Sequence, residues 1–159
     1  MPELRAVLGE AGFSEVRTYV QSGNVLLLSR ASPAKVRKDA EALIAERFGF
    51  EVDVIVRTAE DLAEVVASNP LGEVATDPKR YQVGFLEAEP ERGAVERIAE
   101  LATGGERVVA VGREVYSWHP AGAARSKLWA KLAGNGLGVC ATSRNWTTVT
   151  TLHEMAQVS

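Results

Sequence analysis

Cysteine is almost absent from this sequence. Cys140 is the only one in 159 residues, which excludes a disulfide framework and a Cys-rich metal site. The opening Met1-Pro2-Glu3-Leu4 lacks the basic-then-apolar pattern of a secretory signal. No apolar run approaches the roughly 20 residues that cross a bilayer. A cytoplasmic protein is expected. Charge of one sign is also lacking: the net charge of −3 argues against a surface that binds polyanions everywhere. With two histidines, His119 and His153, there is no His-x-x-x-His pair, Cys–His cluster or carboxylate grouping at metal-ligand spacing. Neither a metal nor a cofactor is expected. A phosphate-loop spacing and a nucleophile-elbow motif are missing as well.

What is present is ordinary globular composition, 46% apolar and 25% charged, in a chain long enough for one domain or two small ones. In the first half, Leu4, Val7, Leu8 and Ala11 fall at helical spacing before Gly12. Val16 to Val20 and Val25 to Leu28 read as strands around Gln21-Ser22-Gly23-Asn24, whose Gly-Asn pair predicts a hairpin turn. Pro33 opens a longer helix with Val36, Ala40, Leu43, Ile44 and Phe48 on one face, and Gly49 follows it. Val52, Val54 and Val56 alternate with Asp53 and Ile55, the pattern of a strand. Thr58 and Asp61 form a variant capping box before a short connecting helix with Leu62, Val65 and Val66. Asn69-Pro70-Leu71-Gly72 ends that helix, and residues 69–80 read as a linker.

The second half repeats this grammar. Tyr81 to Glu87 is strand-like, and Pro90 begins a helix carrying Val95, Ile98, Ala99 and Ala102. Val108 to Val111 and Val115 to Trp118 are strands joined by Gly112-Arg113-Glu114. Ser126 to Ala133 is helical, stopped by Gly134-Asn135-Gly136. Leu137 to Ala141 is the candidate last strand, and Asn145 to Ala156 a final helix. The fold class is therefore α+β, with two tandem ferredoxin-like (βαββαβ) subdomains and a C-terminal helix. Residues 1–68 form the first subdomain, in which the opening strand is missing, and 81–159 the second. That missing strand would lie mid-sheet, so truncation of a longer chain is expected; the alternative is a complete three-stranded topology of another kind.

Three stretches resemble a known family: Thr18-Tyr19-Val20-Gln21-Ser22-Gly23-Asn24-Val25; His119-Pro120-Ala121-Gly122 leading to Ser126-Lys127-Leu128; and Thr142-Ser143-Arg144-Asn145-Trp146-Thr147-Thr148-Val149. In this order they resemble the uncharacterised bacterial family known as domain of unknown function 1697 (DUF1697), over nearly the whole chain. The resemblance implies two ferredoxin-like subdomains in tandem and carries no established activity. Members of that family begin with an apolar strand and a Gly-rich turn of the Arg-Gly-Ile-Asn-Val-Gly-Gly type. Nothing of that kind precedes Pro2, which agrees with the expected truncation.

Candidate chemistry concentrates near the C-terminus. Between Glu114 and Glu154 there is no acidic residue, while Arg125, Lys127, Lys131 and Arg144 supply +4. The remainder of the chain carries −7, the −3 of the whole less this +4. Trp118, Trp129, Trp146 and both histidines lie in the same segment. Cations interleaved with aromatics can hold a phosphorylated ligand, although helical spacing equally places Trp129 and Trp146 in a core. Tyr116 and Trp118 share a strand face as RNA-stacking residues would, although packing of that sheet face on the other subdomain explains them better. Thr142-Ser143-Arg144-Asn145 is expected at the start of the last helix, where free N–H groups receive anions. Ser143 and Asn145 are either ligand contacts or simply the N-cap. Arg144, a cation that opposes the helix dipole unless it has a partner, is the leading candidate. Ser126-Lys127 is a second candidate anion-holding helix start. His119 is a candidate acid/base group, and Ser22 and Asn24 are candidate contacts or turn formers.

These features support a binding module for a phosphorylated small molecule or a nucleic acid. Two alternatives stand: an enzyme acting on such a ligand, and a protein-interaction module that uses exposed strand edges.

Overall fold

The computed structural model describes residues 2–19, 23–133 and 136–157. Gln21 and Ser22 of the first hairpin turn, and the Gly134-Asn135 helix stop, lie outside the described residues. The fold is mixed α+β, and its contacts divide the chain into two compact units. One comprises 1–61 with 152–159, the other 62–151.

In the first unit the order is α1 (Pro2–Glu10), β1 (Ser14–Tyr19), β2 (Asn24–Leu28) and α2 (Pro33–Phe48). β1 and β2 form an antiparallel hairpin with Tyr19 opposite Asn24. Both ends of α2 follow from local chemistry. The Ser32 hydroxyl accepts from Lys35 N–H, Pro33 occupies the first turn, and Gly49 closes the helix in the left-handed region at φ 76°. Val7 and Leu8 of α1 and Val36 and Ala40 of α2 are buried.

Residues 52–57 alternate as a strand should but form no strand. Val54 N–H instead donates to a carboxylate oxygen of Glu41, 3.0 Å away. A strand exists only through a neighbour's N–H and C=O groups, and among the described residues this segment joins no ladder. The capping box behind it is formed as expected. Thr58 N–H donates to Asp61 Oδ2 and Asp61 N–H donates to Thr58 Oγ1, each at 3.0 Å. This starts α3 (Ala59–Ser68), which runs into the second unit.

The second unit continues with β3 (Tyr81–Leu86), α4 (Ala94–Ala99), β4 (Arg107–Val111), β5 (Glu114–Trp118), α5 (Lys127–Ala133), β6 (Ala141–Asn145) and the first part of α6 (Trp146–Gln157). Its four strands form one antiparallel sheet in the order β4-β5-β3-β6. Residues directly opposite in a ladder share a face, so the registers sort every side chain. Leu86, Val115, Val108 and Ala141 lie on one face with Ser117 and Ser143. That face packs with Ile98 of α4 and Leu128 and Leu132 of α5 as a hydrophobic core. Tyr81, Val83, Tyr116, Trp118 and Arg144 occupy the other face. There the Tyr116 hydroxyl donates to the Val65 carbonyl of α3 at 3.1 Å, and the Tyr81 hydroxyl donates to Asn69 Oδ1 at 2.9 Å.

The last strand is 141–145, not 137–141 as the apolar pattern suggested. It forms because β3 offers a free edge, on which Gln82 opposite Asn145 and Leu86 opposite Ala141 close the ladder. The helix that follows accordingly begins at Trp146.

Candidate functional site

Three of the sequence candidates sit at one end of the α5 face. Ser126 immediately precedes α5, and its hydroxyl accepts from Trp129 N–H at 3.0 Å, an N-cap. The same hydroxyl donates to Glu106 Oε2 at 2.5 Å. His119, 0% exposed, lies just past the end of β5. Its Nδ1 is 2.7 Å from Glu106 Oε2 and its Nε2 is 2.8 Å from Ser117 Oγ. A carboxylate can only accept, so Nδ1 carries the proton, and in the neutral ring Nε2 accepts from the Ser117 hydroxyl. Glu106 Oε1 accepts from Thr103 N–H at 3.1 Å. Trp129 meets the His119 ring edge-on, with centroids 5.5 Å apart. Lys127, the first residue of α5, is exposed, as are Arg125 before it and Lys131 one turn on. Among the described residues none of these three cations makes an ion pair with a carboxylate.

Burial alone would push the Glu106 carboxyl up. Hydrogen bonds from Ser126, His119 and the Thr103 amide outweigh it and hold the group below the ordinary carboxylate value of 4.5. The side chain is 7% exposed, so this is an ionised carboxylate kept inside by its donors. Beside Ser117 lies a cavity of about 10 Å³, reached also by Ser143 and walled by Val115, Trp129, Leu132 and Leu137. It has room for about one water.

Arg144 stands elsewhere. It is directly opposite Val83, on the aromatic face, whereas α5 covers the reverse side. One guanidinium nitrogen donates to Thr142 Oγ1 at 2.6 Å and to the Ser143 carbonyl at 2.8 Å. Burial lowers its pKa below the ordinary guanidinium value. The structure thus brings Ser126, Lys127, His119 and Ser143 to one side of the sheet and leaves Arg144 on the other. Asn145 ends β6 and caps α6, its Oδ1 accepting from Thr148 N–H at 2.9 Å. Asn24 is buried in the first unit, where its amide donates to the Tyr19 carbonyl at 3.1 Å across the hairpin. Ser22 lies outside the described residues.

The tryptophans are occupied by packing. Trp146 stacks on Tyr81 with centroids 4.8 Å apart, and Trp118 is 7% exposed. Tyr81 and Tyr116 are each pushed up to about 12, chiefly by burial. The sheet face that an RNA-binding fold would leave open is covered here by α3 of the same unit.

Sequence reasoning missed Glu106 and Ser117. A signal existed in the hairpin register. With Gly112-Arg113 as a two-residue turn, Val111 pairs with Glu114 and Arg107 with Trp118, and one further step sets Glu106 opposite His119. Gly112 holds φ 58°, as the primed hairpin turns require at that position. Among the described residues no group of three His, Cys, Asp or Glu is placed to hold a metal, and no helix is long and apolar enough to cross a membrane.

A family model described as "Protein of unknown function (DUF1697)" matches residues 1–116. The chain is also similar to a solved structure described as that of the conserved bacterial protein SP0830 from Streptococcus pneumoniae. The two share 20% identity at a TM-score of 0.77, covering 99% of this chain and 88% of the other. No curated protein matches.

Proposed function

The chain belongs to the DUF1697 family, and we propose that its second unit is a binding module for a phosphate-bearing ligand, a phosphorylated small molecule or a nucleic acid. One observation carries this reading: Arg125, Lys127 and Lys131 stand exposed on and beside a short helix, in a stretch of sequence without a carboxylate between Glu114 and Glu154. Cations without carboxylate partners keep their full donor capacity for phosphate oxygens. The strand order β4-β5-β3-β6, with helices after the first and third strands, supports a ferredoxin-like βαββαβ unit. The α1-β1-β2-α2 order of the first unit is the interior of the same pattern. We place the protein in the cytoplasm, in keeping with its single cysteine.

A second reading, an enzyme acting on such a ligand with His119 as acid/base group, draws on the Ser117–His119–Glu106 chain of hydrogen bonds. Its central ring is 0% exposed and Ser117 is 1% exposed, which favours the binding reading.

The test is a thermal-shift screen of the chain and of a Lys127→Ala/Lys131→Ala variant. The probes are inorganic phosphate, nucleotides, sugar phosphates, and short single-stranded DNA and RNA. A ligand at 100 times its Kd stabilises the folded state by about 2.7 kcal/mol, and the class that shifts only the unaltered chain names the ligand chemistry. If no probe shifts the chain, or if the variant shifts equally, the cationic face is not the site. Turnover of any binding probe that is lost in His119→Ala would instead support the enzymatic reading.

A further inference from the structure

We infer that Glu106 is the residue that positions the cationic face, its single carboxylate tying down the chain at both ends of the segment that carries Arg125 and leads into Lys127. The inference rests on the binding reading above and deepens it. The segment runs from His119 to Ser126. At its entry the His119 ring donates to Glu106 Oε2, and its main-chain N–H donates to the Arg80 carbonyl at 3.0 Å. At its exit the Ser126 hydroxyl donates to the same Oε2 while accepting from Trp129 N–H. The other oxygen, Oε1, is held by Thr103 N–H, so the carboxylate itself has little freedom to turn.

What this anchoring supplies is order that α5 lacks by itself. The helix has 7 residues, and isolated helices shorter than roughly 12–15 residues are marginal in water. Leu128 and Leu132 hold its inner side, but its start is fixed through Ser126. Arg125 and Lys127 flank Ser126 directly in sequence. A loosened Ser126 therefore lets both cations wander, and a ligand must then order them on binding. Among the described residues, the ionisable His119 ring and Arg107, whose guanidinium donates to Glu106's own carbonyl at 3.3 Å, lie beside Glu106.

This role has a signature of opposite sign to simple electrostatics. Glu106→Gln removes a negative charge from the neighbourhood of a phosphate site, and charge alone would tighten binding. Positioning predicts the reverse, about tenfold weaker binding, the order of loss when a preorganised surface must be ordered anew.

The experiment measures the Kd of a fluorescein-labelled short single-stranded DNA, and of inorganic phosphate by competition, for the full chain and for Glu106→Gln, Ser126→Ala and Ser126→Thr. Hydrogen exchange at the α5 amides is followed in parallel. Weaker binding by Glu106→Gln and Ser126→Ala, near-native binding by Ser126→Thr, and faster exchange at Trp129 N–H in the first two variants support the inference. Equal or tighter binding by Glu106→Gln overturns it, even when Lys127→Ala confirms the site. If the unaltered chain binds neither probe, the binding reading falls, and unchanged α5 exchange in Glu106→Gln then overturns the positioning role separately. Should Glu106→Gln fail to fold, Ser126→Ala decides, because it removes one donor and leaves the carboxylate its other partners.

Discussion

Glu106 shows how a buried charge is made tolerable. An ionised carboxylate with 7% of its side chain exposed is costly unless hydrogen-bonded, and here three donors converge on it. Their effect outweighs burial, so the folded-state pKa lies below the ordinary 4.5. The sign follows. With a depressed pKa, Glu106 contributes stability in full above pH 4.5, and that contribution is lost as pH falls through the lower folded value. Glu106→Gln cannot titrate. Urea unfolding at a series of pH values should therefore show the native chain ahead of Glu106→Gln near neutrality, with the gap closing as pH falls below 4.5. A gap of constant width across the acid range would mean that the carboxylate is not the ionised hub of this network. Hydrogen bonds to a charged group contribute about 1.5–3 kcal/mol each, so the gap at neutral pH should be readily measured.

Elements whose ends are written in local chemistry were legible in the sequence, and those made by a partner were not. Pro33 and Gly49 bound α2 as read, and the Thr58–Asp61 box forms. The polar stretch Ala141-Thr142-Ser143-Arg144-Asn145 carries no strand signal and is a strand because β3 pairs with it. Residues 52–57 carry a strong strand signal and join no ladder among the described residues. The candidate site was legible to the same extent. Ser126, Lys127 and His119 were marked by type and position, but Glu106 and Ser117 meet His119 only through a hairpin register that a three-residue turn misplaces by one. Asn145 tests the element scale because its amide is both the end of β6 and the cap of α6. Asn145→Ala should cost about 1 kcal/mol and Asn145→Asp only a few tenths. Urea midpoints at constant m-value are the check, and equal midpoints for all three proteins would remove the capping role.

At the scale of the whole molecule the informative quantity is how charge is distributed. The net −3 hides a carboxylate-free stretch, and the sheet then divides that stretch's cations. Arg125, Lys127 and Lys131 go with α5, while Arg144 lies opposite Val83 on the aromatic face. Sequence order had grouped Arg144 with Lys127, and only strand parity separates them. Salt dependence reads the difference, because each phosphate neutralised on a single strand adds about −0.7 to the slope of log K against log salt. Against a short single-stranded DNA, Lys127→Ala/Lys131→Ala should flatten that slope by roughly 1.4 if both side chains meet phosphates. Arg144→Ala should leave the slope unchanged, because Arg144 lies on the sheet face opposite the one that α5 covers and would meet no phosphate held there. If the arginine variant flattens the slope and the lysine pair does not, the phosphate-binding surface is the aromatic face, and α5 is a covering helix with a solvated exterior.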